Sequence, residues 1–586
     1  MKVSQLKIEN FRGIKTANLL FPDHVVLIGD NNTGKSTIFE ALDLTLGPDR
    51  LSRRSIIDEH DFYNGQYLSK DKISSPKVEI EVTITNLSAE QQIHFKDYIE
   101  WWCKDNNALH TSSPPETVDQ SSIEAALRVC FSGEYNFDED DFLGSTYFTR
   151  SLAESLNPQA FSKRDKQKCG FLYLRSIRTG SRALSLEKGS LLDIILRIKE
   201  IRPQMWEKTI EELGTFNVAE DPSIGISGVL ASIEKSMKKY TPREWGVSPH
   251  LKISSLTRED LRKVITAFIA TGEGEHAAPF YRQGTGTINI LVLAMLSQIA
   301  EDKQNVIFAM EEPETAIPPY TQKSIVHEIK KLSSQSFFTS HSPYVLEEFE
   351  LEETVVLHRN SHGELIQNSV ELPDSIKHKK YRQDFRQRFC EGLLSRRILI
   401  TEGATETSAM PVAARRLSEL QPDLYSSLEA LGICVIDAES DSKIADLSNL
   451  YVKLKKRVFA LCDKQDEVNK QKIEEIVEKL FMHEEKGFED LVLKNTTQEA
   501  IDKFIDDVEW PPHLQEQFPN LKDNAVDALK AYFSWAKGNW GIADFFVQCE
   551  LKDFPPWIKD TCLELKTLCV HPIPQDAETE PDINFF

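Results

Sequence analysis

The sequence predicts an α/β protein with a nucleotide-binding head followed by a second α/β domain, and three observations carry that prediction. "LIGDNNTGKSTI" joins a buried-strand run to an apolar helical run through a glycine-containing loop. Far downstream, "NVIFAMEE" is a strand that ends in two carboxylates. Beyond it, three more apolar strands each end in an acidic residue. Strands alternating with helical patterns imply βα units and parallel sheet.

The first stretch has the form Gly-x-x-x-x-Gly-Lys-Ser, with Gly29, Gly34, Lys35 and Ser36 in the defining positions. Glycines let backbone N–H groups turn toward phosphate oxygens, and the following helix aims its positive end at them. Lys35 is expected to neutralise the β- and γ-phosphates of ATP, and the Ser36 hydroxyl to ligate Mg²⁺. Asn31, Asn32, Thr33 and Thr37 complete the expected nucleotide-binding set.

In "NVIFAMEEPETAIPP" the strand ends at Glu311 and Glu312, the side of an α/β sheet that faces a nucleotide crevice. Glu311 is expected to hold Mg²⁺, and Glu312 to orient or deprotonate the attacking water. "SFFTSHSP" repeats the design with a short strand ending near His341, a candidate γ-phosphate sensor. Upstream, Gln283 to Thr287 form a Gly/Thr turn that opens a strongly apolar helix, a second phosphate-binding device.

The ordered set "GDNNTGKST", "RQGTGT", "FAMEEPE" and "TSHSP" resembles the ABC-type ATPase head of the SMC/RecF/OLD group, as does "IENFRGI" at the start. The resemblance implies nucleotide contacts for Arg12 and, in trans, for Thr285 and Gly286. It therefore implies at least a dimer. Family members often carry histidines after Glu-Pro-Glu where this chain has "TAIPP", which leaves the contacts of that loop open.

At 586 residues the chain has length for several domains. The expected division is a head over 1–190 and 251–375, a helical insertion at 191–250, a basic linker at 376–397, a second domain over 398–570 and a mobile acidic tail at 571–586. "LLDIILRIKEIRPQMWEKTIEEL" is the amphipathic part of the insertion. The resemblance makes the insertion a dimerisation element; a solvated hairpin is the alternative. Nine scattered cysteines without Cys-x-x-Cys spacing argue against a zinc module or a disulfide framework. The start lacks a signal-peptide core, and "INILVLAML" is too short to span a bilayer. A soluble, cytoplasmic protein with no membrane partner is expected. The formal charge of −23 speaks against general nucleic-acid binding, but DNA needs only a local basic surface. "KHKKYRQDFRQRF" supplies one candidate surface, equally readable as a solvated linker helix.

In the second domain "RRILITEGATE" ends a strand at Glu402-Gly403, with Glu406 on the next helix. "LGICVIDAES" ends at Asp437, and "KRVFALCDKQD" at Asp463 with Asp466 close behind. Several acids delivered to one sheet edge make a site for hard divalent cations. Asp437 is the weakest of them, since it can equally cap the following helix. The arrangement resembles a Toprim domain, and Glu-Gly with Glu406 resembles the nuclease version found in the OLD (overcoming lysogenization defect) family. The family places its second Asp two positions after the first, where this chain has Gln465; Asp466 lies one further on. The resemblance also makes Glu489, in "GFEDLVLKN", a metal ligand and Lys537, in "AKGNWGIADFF", a stabiliser of phosphorane charge.

The resemblance therefore implies an ATP-binding, Mg²⁺- or Mn²⁺-dependent DNA endonuclease, with one ion at the ATP site and two at the Toprim site. It also implies self-association as dimer or tetramer and a prokaryotic anti-phage role, some relatives acting with a partner defence protein or retron nucleic acid. The alternative is a RecF-like DNA clamp whose departed Asp-x-x-Asp no longer cuts.

Overall fold

The computed structural model describes residues 1–48, 56–69, 75–110, 122–150, 158–174, 190–198, 202–215, 226–239, 306–315, 318–373, 386–536 and 541–570, with scattered positions between 261 and 299. Thr285, Gly286, Lys537, the basic run up to residue 385 and the tail from 571 lie outside the described residues. Two compact units result: Met1–Val26 with Gly34–Ser340 and Asn360–Leu365, and Leu27–Thr33 with His341–Arg359 and Ile366–Phe586.

The strands in chain order are β1 (Lys2–Phe11), β2 (Ile14–Leu20), β3 (His24–Ile28), β4 (Val78–Thr85), β5 (Ile99–Cys103), β6 (Ala108–His110), β7 (Ile123–Asn136), β8 (Asp141–Phe148) and β9 (Phe171–Leu174). There follow β10 (Phe268–Ala270), β11 (Ala277–Pro279), β12 (Ile307–Glu311), β13 (Gln335–Thr339), β14 (Thr354–Arg359), β15 (Glu364–Ser369), β16 (Arg397–Thr401), β17 (Ile433–Asp437), β18 (Arg457–Cys462) and β19 (Lys479–Met482).

In the first unit, β6-β5-β7-β4-β1-β2 is a neighbouring run of antiparallel strands, with β8 added to β7. Its β1 alternates, Leu6 and Ile8 buried and Lys7 and Glu9 not, as a sheet with one core face requires. The nucleotide strands differ. β12 runs parallel between β9 and β13; β12 is apolar up to Glu311, and every residue of β13 is buried, the polar Gln335, Ser336 and Thr339 included, because both faces are covered. Buried Gln335 ties this part to β1: its Oε1 accepts from Val3 N at 2.7 Å, and its Nε2 donates to Val3 O and Pro22 O at 2.9 Å each. Lys166, fully buried, donates Nζ to Leu44 O at 2.8 Å. It thereby closes one of the carbonyls left open at the end of the helix Lys35–Leu46.

Three helices lie in the expected insertion: Leu191–Ile198, Arg202–Thr215 and Ile226–Met237. Trp206 is buried against Leu192, Leu196, Met205, Ile210 and Leu261. On Ile226–Met237, Val229, Ile233 and Met237 recur every fourth residue and stay exposed at 59%, 44% and 38%.

The second unit holds a four-stranded sheet, order β17-β16-β18-β19, parallel throughout. Parallel strands need crossovers, and the helices Ala404–Leu420, Asp441–Lys453 and Glu467–Glu474 supply them. Further helices, among them Gln498–Asp507, Ala525–Trp535 and Gly541–Gln548, build an aromatic core in which the rings of Phe504 and Phe545 sit 5.4 Å apart edge to face. Among the described residues, no helix is long and apolar enough to cross a membrane.

Candidate functional site

The phosphate loop follows buried β3 directly. A Cβ on Gly29 would stand 2.7 Å from Leu357 O, so no side chain fits there. Asn32 and Gly34 take φ of 66° and 121°, the turn that a run of inward N–H groups demands. Thr33 is buried and donates Oγ1 to Asp30 O at 2.7 Å, fixing the bend. Lys35 is buried at the first turn of the helix, with Ser36 exposed and Thr37 half-buried beside it; Asn31 and Asn32 face outward.

Arg12 has a different set of partners. Its Nε meets Asp61 Oδ1 at 2.8 Å, its Nη2 lies 3.7 Å from Glu40 Oε2, and its guanidinium rests 5.2 Å from the Phe11 ring. Both carboxylates are buried, so Arg12 balances charge inside the unit. Arg12 itself stands at φ 53°.

Glu311 closes β12 opposite Thr339 of β13, and Tyr173 of β9 donates its hydroxyl to Glu311 Oε1 at 3.1 Å. The Tyr173 ring packs edge-on against Phe39, one turn along the helix from Lys35, at 5.8 Å. Tyr173 thus links the phosphate helix to Glu311, its ring on Phe39 and its hydroxyl on the carboxylate. Glu312 stands at φ 45°, a conformation costly for a residue with a side chain. Its N–H donates to Thr339 O at 2.9 Å, and its carbonyl accepts from the N–H and Oγ1 of Thr315, both at 3.1 Å. These bonds hold the strained turn that presents the second carboxylate. His341 lies two residues beyond β13 and is exposed.

In the second unit, Glu402 and Asp463 each follow the last residue of a strand, β16 and β18, which pair in parallel. Glu402 Oε2 accepts from Asp463 N and from Gln465 Nε2, both at 3.1 Å. Gln465, the departure from the Asp-x-Asp pattern, therefore holds Glu402 with an amide. Asn469 in turn holds Gln465, donating Nδ2 to its Oε1 at 2.8 Å. Glu406, in the first turn of Ala404–Leu420, is buried, and burial pushes its carboxyl up to about 8, with Asp463, Glu489 and Glu402 adding repulsion. Burial first, then Asp463, raises Glu402 as well. Glu489 accepts from Thr405 Oγ1 at 3.3 Å. Glu402, Glu406, Asp463 and Glu489 thus share one electrostatic neighbourhood.

Asp466 sits apart from that group in role. It is exposed, and its Oδ1 accepts from Asn469 N at 2.8 Å, capping the helix Glu467–Glu474. Asp437 Oδ1 accepts from Glu439 N at 2.6 Å, a turn leading into the helix Asp441–Lys453, and burial raises its carboxyl.

Sequence reasoning missed His483. It follows the last residue of β19 as Asp463 follows that of β18, its exposure is 3%, and its Nε2 lies 2.9 Å from Asp463 Oδ1. The signal was present in "KLFMH", a short strand ending in a ligand-type residue after a helical crossover.

Among the described residues, no group of three or more His, Cys, Asp or Glu side chains is already gathered tightly enough to hold an ion. The chemistry of the donors nevertheless suits a hard divalent cation: four carboxylates near one sheet edge, two of them raised by burial and by neighbouring carboxylates. A pH-dependence follows. A carboxyl raised from 4.5 to about 8 contributes stability that is full below 4.5 and lost as pH climbs through 8. In the presence of chelator, thermal denaturation should show that loss between those values, and Glu406→Gln should flatten it. An unchanged slope in the variant would contradict the assignment of Glu406 as the raised group.

Comparison with known proteins finds two domain families along the chain. Residues 1–165 and 190–346 match the AAA ATPase domain family, and residues 393–464 match the "Overcoming lysogenization defect protein-like, TOPRIM domain" family. The chain is 20% identical over 506 residues to the Old nuclease of Escherichia phage P2, covering 79% of this chain and 77% of that protein. Among solved structures it is similar to an SMC head bound to the C-winged helix domain of ScpA, at 13% identity and TM-score 0.35, over 64% of this chain and all of that one. It is also similar to the C-terminal region of the Burkholderia pseudomallei OLD protein, at 16% identity and TM-score 0.23, over 30% of this chain and 98% of that one.

Proposed function

The chain belongs to the OLD family, an AAA ATPase domain followed by an OLD-like Toprim domain, and on that premise we propose that it is an ATP-regulated, divalent-metal-dependent DNA endonuclease. The observation that carries the reading is the carboxylate set at one edge of the parallel sheet, Glu402 and Asp463 at neighbouring strand ends with Glu406 and Glu489 beside them.

At the head, the N–H groups of 29–34 wrap the ATP phosphates and Lys35 offsets their charge. Ser36 and Glu311 would hold the nucleotide's Mg²⁺, with Tyr173 steadying Glu311. Glu312, fixed by Thr339 and Thr315, orients the attacking water. In the Toprim domain, Glu402, Asp463, Glu406 and Glu489 would hold Mg²⁺ or Mn²⁺. Bound there, the metal supplies Lewis-acid polarisation of the phosphodiester and an acidified water. Gln465 keeps Glu402 in place through its amide. Arg12, His341, Thr285 and Gly286 as nucleotide contacts, and Lys537 and Asp466 as Toprim residues, belong to the same proposal, as does an anti-phage role in the cytoplasm.

Incubating supercoiled plasmid with the protein and Mg²⁺ or Mn²⁺ tests the reading: nicked or linear product is expected. Intact plasmid under every metal and nucleotide condition would favour the non-cutting clamp.

Self-association is part of the proposal. The exposed stripe Val229, Ile233 and Met237 supports a dimerisation role for the helices between 191 and 250. Light scattering on nucleotide-free protein should give at least a dimer, with ATP only rearranging the heads. A monomer under those conditions would refute it.

A further inference from the structure

The pair His483–Asp463 has a geometry that ordinary side-chain pairing does not explain. His483 Nε2 and Asp463 Oδ1 are 2.9 Å apart, yet neither atom has a hydrogen-bond partner, because the imidazole nitrogen is not directed at the oxygen. Nδ1 of the same ring is also buried without a partner. The ring is 3% exposed and wedged edge-on against Trp557, with centroids 5.2 Å apart, and near Phe488 at 6.2 Å. Unpaired buried polar atoms are expensive, so three of them in one place call for a ligand.

Two donor atoms bound to neighbouring vertices of an octahedral ion point at the ion and not at each other. With metal–ligand bonds of about 2.1 Å, donors at a right angle stand roughly 3 Å apart. The observed spacing meets that condition. Glu402, held at the adjacent strand end, lies within the electrostatic reach of both residues.

We propose that His483 is a nitrogen ligand of the divalent ion held by Asp463, which makes this Toprim centre a mixed imidazole–carboxylate site. The proposal rests on the metal-site reading above. An imidazole donor shifts preference away from Mg²⁺ toward Mn²⁺ and later first-row ions, which bind nitrogen more readily. Trp557 and Phe488 hold the ring in its orientation before the ion arrives.

The test uses full-length protein without nucleotide, titrated with Mn²⁺ and followed by electron paramagnetic resonance. Pulsed measurements on the bound ion are expected to show coupling to an imidazole nitrogen, absent in His483→Gln. That variant is expected to bind Mn²⁺ more weakly by at least the ~10–100-fold that loss of an outer-shell partner costs, while its Mg²⁺ affinity falls less. Asp463→Asn serves as the reference that identifies the site. Bound Mn²⁺ that responds to Asp463→Asn but shows no nitrogen coupling in wild-type protein would overturn the proposal and leave the carboxylate site standing. Bound Mn²⁺ indifferent to Asp463→Asn would overturn both. His483→Asn provides a second variant should the glutamine protein fail to fold, with the same expected loss of nitrogen coupling.

Discussion

Glu402→Ala and Asp463→Ala are expected to reduce plasmid cleavage by about 100-fold or more while leaving ATP hydrolysis at the wild-type rate. A correctly held ion is worth several kcal/mol at the transition state, and each ~1.4 kcal/mol is a factor of ten in rate. The two residues sit at neighbouring strand ends, so neither can substitute for the other. The carboxylates proposed for the ATP site, Glu311 at the end of β12 and Glu312 just past it, belong to a separate strand. Asp466→Ala is the contrasting variant. Its cap to Asn469 predicts a loss of about 1 kcal/mol in stability. Cleavage lost in step with Glu402→Ala would make Asp466 a ligand as well as a cap. Cutting that persists in both Glu402→Ala and Asp463→Ala would end the Toprim-nuclease reading.

The second large effect separates binding from turnover at the head. Lys35→Ala should weaken ATP binding by about 100-fold, because phosphate charge is left without its buried cation. Glu312→Gln should bind ATP normally and hydrolyse it about 100-fold more slowly, since an amide cannot take the water's proton. Glutamine keeps the shape of the side chain and accepts the same φ of 45°, so the turn set by Thr339 and Thr315 survives. Equilibrium nucleotide binding and phosphate release measured on both variants decide it. Hydrolysis at the wild-type rate in both would reject the two assignments together.

Much of this was readable in the sequence, and the physical reason is local. A strand that ends in an acid announces itself by an apolar run and one polar residue, and Glu311, Glu402 and Asp463 were all found that way. The ambiguity over Asp437 was also local: it closes a turn with Glu439 ahead of the helix, whose N-cap is Ser440, so it does not cap that helix itself. What could not be read depended on contacts between distant segments. The nucleotide role of Arg12 came from the family resemblance, and its pairing with Asp61 and Glu40, from other parts of the chain, is a contact that no local pattern shows. Gln465 looked like a lost ligand, and only its bond to Glu402 shows an amide with a task. His483 escaped because β19 is four residues long, too short for periodicity to speak.

The in-register parallel pairing of β16, β18 and β19 has an evolutionary corollary. Adjacent strands lie about 4.8 Å apart whatever their side chains, because backbone hydrogen bonding sets that gauge. Residues just past three paired strand ends therefore inherit a spacing that mutation of the surrounding sequence cannot easily change. Drift in the helices or in the strand interiors leaves the ruler intact. A centre built on it tolerates wide replacement of the residues around it. An insertion that breaks the register of β18 would do more damage than substitution at several of its six residues.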